Sequence, residues 1–94
     1  MSNNDKIKNL RNKIDLIDDQ LIDLLVDRFK IVKKIGSIKF ESGNQITNLS
    51  REKSIISRMS KKENHNLTGD DISKLFNVIY SISKEIQNKI QTEK

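Results

Sequence analysis

The chain has 94 residues with 34% apolar and 33% charged side chains, 18 Lys and Arg against 13 Asp and Glu, and a net charge of +5. That length predicts a single domain, residues 1–94, whose thin core points to oligomerisation. The absence of Cys excludes a disulfide scaffold, Cys-ligated zinc and thiol catalysis. The N-terminus has no apolar signal segment and no stretch of 18 apolar residues exists, so the sequence predicts a cytoplasmic chain with no membrane span.

With no Pro and three Gly, the sequence has few breaks and favours a few long helices. The first helix is expected from about Asp5 to about Phe40. Its apolar residues Ile7, Leu10, Ile14, Ile17, Leu21, Leu25, Phe29, Val32 and Ile35 recur every three or four positions. Gly36 falls inside this pattern and weakens the helix by ~1 kcal/mol relative to Ala. A loop is expected over Glu41–Gln45. The second helix starts near Asn48 or Ser50, either of which suits the N-cap, and carries Leu49, Ile56 and Met59. The third follows Thr68, where Thr68 and Asp71 have capping-box spacing. Its stripe is Ile72, Leu75, Phe76, Ile79, Ile82, Ile86 and Ile90.

A first helix of that length would be a rod of roughly 54 Å. A compact globule of this size is only about 30 Å across. The rod must break, or protrude and find a partner for its apolar stripe, and a second copy of the chain supplies one.

Several charged residues fall inside the stripes. On a wheel at about 100° per residue, Arg11, Asp18, Arg28 and Lys39 lie within the apolar arc of the first helix. A buried cation is costly unless paired. Arg28 and Lys39 are three turns apart on one face and suit the two ends of one small anionic molecule. Pairing with carboxylates of a neighbouring helix, or snorkelling to water, is the alternative. Arg11 lies too far along a continuous helix to join them, except from the other chain of an antiparallel dimer. Its alternative is an interface ion pair with a carboxylate such as Asp18.

Glu52 points toward the core of the second helix and Arg51 sits at the edge of that face. An exposed first-turn pair favoured by the helix dipole is the competing reading. Ser83 and Gln87 form a polar notch in the Ile-rich face of the third helix. A back-bonding Ser and a surface Gln would explain them equally. His65 reads as a loop residue, since a lone His makes a poor metal site. Four aromatic residues are too few for a base-stacking platform, and the lysines are spread along the chain, so nucleic acid is disfavoured as a partner.

The string Leu10-Arg11-x-x-Ile14-Asp15-x-Ile17-Asp18 resembles the opening of the all-helical chorismate mutases, type II. Arg28, the run Ile35-Gly36-Ser37-Ile38-Lys39, the pair Arg51-Glu52 and Leu75-Phe76-x-x-Ile79-x-x-x-Ser83-x-x-x-Gln87 continue the resemblance in order. The resemblance implies an all-α fold, three helices per chain, and an intertwined homodimer with the long helices packed together. It implies conversion of chorismate to prephenate, with no metal or other cofactor. By the family pattern Arg28, and Arg11 from the other chain, hold the two carboxylates. Lys39 touches a carboxylate and the ether oxygen, and Gln87 donates to that oxygen. Glu52, with the backbone near Asn48, holds the ring hydroxyl; Ser83 assists at a carboxylate and Arg51 supports the site. Asn48 departs from the family's usual Asp. Isochorismate pyruvate lyase, a relative on the same scaffold, and a non-enzymatic helical dimerisation module are the alternatives.

Overall fold

The computed structural model describes residues 2–45, 48–62 and 66–93. All three elements are helices: α1 (Asn3–Ser42), α2 (Leu49–Ser60) and α3 (Gly69–Glu93). The described residues contain no strand, so the expected all-α class holds. No helix among them is long and apolar enough to cross a membrane.

Each helix end has a local cause. At the start of α1 the Ser2 hydroxyl accepts from the Asp5 amide at 3.2 Å. α1 reaches two residues beyond its expected end, because the terminator is Gly43 and not the polar residues before it. Gly43 has φ +73°, the left-handed conformation that Gly adopts without strain. Its amide donates to Phe40 O at 3.4 Å, and the Asn44 amide donates to Lys39 O at 2.9 Å. These are the paired bonds of a Schellman ending.

Of the two candidate caps for α2, Asn48 is the one used, with Oδ1 accepting from the Arg51 amide at 3.0 Å. α3 opens with the capping box its sequence predicts. The Thr68 amide donates to Asp71 Oδ2, and the Asp71 amide to Thr68 Oγ1, each at 3.1 Å. His65 lies outside the described residues.

The chain falls into two compact units, Met1–Ile31 and Val32–Lys94. The described part of the first is helix with a short capped entry. Its expected stripe is exposed at Ile7, Leu10, Ile14, Ile17 and Leu21, and only Leu25 and Phe29 are half-buried. Leu24, Ile22 and Val26 are exposed as well. The apolar arc from Leu24 round to Val26 spans about 200°, roughly twice the stripe a surface helix commonly buries.

The second unit holds the buried core: Ile55 of α2 with Ile72, Tyr80 and Ile90 of α3. The Tyr80 ring meets Phe76 at 5.9 Å between centroids. Leu49 and Leu75, expected in the apolar faces, are exposed. The last part of α1 packs on α3 at Gly36, which is buried. A Cβ at this position would stand 2.8 Å from Gln87 Cγ and 3.0 Å from Ile90 Cδ1. Gly36 therefore accepts its helix penalty in exchange for close contact with α3.

Gly36→Val forces α1 away from α3. Overpacking of this kind costs roughly 1–3 kcal/mol. A urea titration of the variant should show that loss; unchanged stability would contradict the close approach.

Candidate active site

The residues singled out in the sequence divide between the two units. Arg11 and Arg28 belong to the first, where Arg11 is exposed and Arg28 half-buried. Lys39, Asn48, Arg51, Glu52, Ser83 and Gln87 belong to the second. Within that unit the structure arranges several of them around the face of α3.

Gln87 is the buried polar side chain of this face, 7% exposed. Its Nε2 donates to the main-chain carbonyl of Val32 at 3.1 Å. The same residue packs against Gly36, so α1 holds both its stem and its amide head. An amide nitrogen carries two hydrogens, and this contact uses one. The expectation that Gln87 sits at a surface edge or in a polar notch resolves in favour of the notch.

Ser83 lies one turn before Gln87 and is half-buried. Its hydroxyl donates to Ile79 O at 2.8 Å, the back-bonding expected of a Ser inside a helix. Lys39 is half-buried on the final turns of α1. Asn48 and Arg51 are exposed at the start of α2. Since Asn48 acts there as a cap through an uncharged oxygen, Asn fulfils the local structural duty at this position.

Glu52 is the second anchored group. Its side chain is 18% exposed, as its position on the α2 wheel predicts and unlike a solvated first-turn acid. The main-chain carbonyl of Glu52 accepts from Tyr80 Oη at 3.1 Å. Its Oε1 lies 3.5 Å from Lys84 Nζ. Its Oε2 is buried without a hydrogen-bond partner. A carboxylate oxygen in that state is unfavourable unless something donates to it.

Sequence reading passed over Tyr80 and Lys84. Both lie on the face of α3 that carries Gln87, at spacings of seven and three residues, but only the facing of α2 on α3 reveals what they meet. Gly36 was read as a weak point and is a contact point. Among the described residues no group of three or more His, Cys, Asp or Glu is placed to hold a metal ion.

The arrangement offers a donor and an acceptor at fixed positions, the second N–H of Gln87 and the buried Oε2 of Glu52. It suits binding and orienting a polar anionic molecule more than proton transfer to and from it.

Comparison with known proteins agrees. The family described as chorismate mutase type II matches residues 10–88, a stretch that contains every site residue named above. The chain is 30% identical to the chorismate mutase of Methanocaldococcus jannaschii over 95% of its own length and 91% of that protein. It is 31% identical to the bifunctional chorismate mutase/prephenate dehydratase of Buchnera aphidicola over 96% of its own length, spanning 24% of that longer protein. Its fold superposes on the crystal structure of chorismate mutase from Helicobacter pylori in complex with prephenate, with a TM-score of 0.88 and 31% identity over 96% of this chain and 98% of that one. The chain belongs to the chorismate mutase type II family.

Proposed function

We propose that this chain is an isomerase that converts chorismate to prephenate, a step in aromatic amino acid biosynthesis, and that residues 1–94 act as one catalytic domain in the cytoplasm. The observation that carries the reading is Glu52 Oε2, a buried acceptor with nothing to accept from, in a chain of this family. A ring hydroxyl donates one hydrogen and satisfies it. The backbone near Asn48 helps hold that hydroxyl, and Arg51 supports the site.

The rearrangement is pericyclic: one C–O bond breaks as one C–C bond forms within a single molecule. The protein has to fold a flexible dianion into the reactive chair and stabilise negative charge growing on the ether oxygen. The first task is orientation. Arg28, and Arg11 of the partner subunit, grip the two carboxylates, for which the planar guanidinium suits bidentate contact. Ser83 assists at a carboxylate once its hydroxyl turns from Ile79 O toward the ligand. The second task falls to fixed donors away from water. Lys39 supplies one, touching a carboxylate as well. Gln87 supplies the other through its remaining N–H, with its head already steadied by Val32 O.

The functional form is an intertwined homodimer. The exposed apolar arc of the first unit supports this, since its width exceeds what a single packed helix covers. A second copy offers its own long helix and further segments to cover the rest.

Purified protein should consume chorismate, followed by its ultraviolet absorbance, and yield prephenate. Pyruvate released from isochorismate would point to the lyase, and no conversion of either to a binding module. Lys39→Ala should lower kcat at least ~10²-fold, the worth of one well-aimed oxyanion donor. Near-normal turnover would remove Lys39 from the mechanism. Arg11→Ala and Arg28→Ala should each be inactive alone. After subunit exchange, half the dimers are mixed and each has one complete site, so about a quarter of normal activity should return. No recovery after verified exchange would contradict the shared site.

A further inference from the structure

We infer that Lys84 is a positioning residue for this reaction: it holds one oxygen of Glu52 so that the other stays aimed at the substrate hydroxyl. The inference rests on the function proposed above and assigns a part to a residue outside the family pattern set out in the sequence.

Glu52 is gripped from α3 at two points one helical turn apart. Tyr80 Oη holds its main-chain carbonyl at 3.1 Å, and Lys84 Nζ stands 3.5 Å from Oε1. Residues four apart on a helix share a face, so both contacts come from one ridge of α3. The main-chain contact fixes where the Glu52 side chain begins, and the Lys84 contact fixes where it ends.

The grip is one-sided. An ammonium is a compact point charge and not a planar fork, so it engages one carboxylate oxygen and leaves the other. That other oxygen is the buried Oε2 without a partner. With Lys84 removed, nothing on this ridge keeps the carboxylate from turning toward water to satisfy both oxygens.

Lys84 is 40% exposed. The lysine end of the pair is screened by water, so the pair contributes modestly to folding. The pair is thus poorly explained as a stabilising device and better explained by where it leaves Oε2. The ring hydroxyl takes no part in the bonds made and broken. Its contact with Glu52 is therefore equally strong before and during the reaction, and its loss appears in KM more than in kcat.

The test compares Lys84→Met in two backgrounds, with chorismate as substrate. In the otherwise natural protein, KM should rise about tenfold with kcat within about twofold. Thermal unfolding should stay within a few degrees, because the carboxylate released from Lys84 can turn toward water. In a Glu52→Gln background the same change should alter KM by less than about twofold, because the two residues act as one unit. An unchanged KM for Lys84→Met in an active enzyme, or an equal rise in both backgrounds, would overturn the role of Lys84 alone. Failure of the natural protein to convert chorismate would overturn both readings.

Discussion

A carboxylate drawn out of water with only one of its oxygens answered is the constraint around which this site is organised. Glu52 pairs Oε1 with Lys84 and leaves Oε2 buried without a donor. Folding alone gains nothing from such an arrangement, since replacing the carboxylate with an apolar group would remove the unmet acceptor. It makes sense when a ligand brings the missing hydrogen. The same logic extends to Gln87, a buried amide on an Ile-rich helix with one N–H engaged and one to spare. Under the proposed function, polar groups at apolar positions are tolerated here because their partner arrives from outside.

The fold serves this constraint by bringing helices close where the site needs rigidity. Gly36 lets α1 approach α3 closely enough for Gln87 to reach a main-chain carbonyl. Tyr80, largely buried beside Phe76, reaches across to the backbone of α2. Two of the proposed ligand-contacting groups are thereby locked by contacts with main chain, which does not rotate away as a side chain does. Catalysis by orientation depends on such locking, because a small misplacement removes most of its benefit.

The sequence disclosed those features that are written on one helix at a time. Caps are local, so Thr68 with Asp71 could be read before any fold was known, and Asn48 was one of two named candidates. The wheel positions of Glu52 and Gln87 left a buried and an exposed reading open for each, and only the packing of α3 against its neighbours shows both to be largely buried. The end of α1 was placed short because polar residues before Gly43 resemble a loop, whereas the left-handed Gly is what stops the helix. Lys84 and Tyr80 could not be recognised, since an exposed Lys and a core Tyr gain meaning only from the helix opposite. The stripe of α1 was periodic as expected, yet in its first unit it lies largely exposed, and periodicity alone does not say what covers it. Family resemblance, carried by short motifs spread across the three helices, supplied the reaction that no single helix spells out.

The central claim is that this face of α3 and α2 is shaped for one dianionic, hydroxyl-bearing guest. Calorimetric titration with prephenate tests it most directly, because binding is read without turnover. The account predicts saturable binding of one molecule per chain, weakened at least about tenfold when Glu52 is changed to Ala, as expected on loss of a hydrogen bond to a charged group. Binding of equal strength in the two proteins, or none in either, would contradict it.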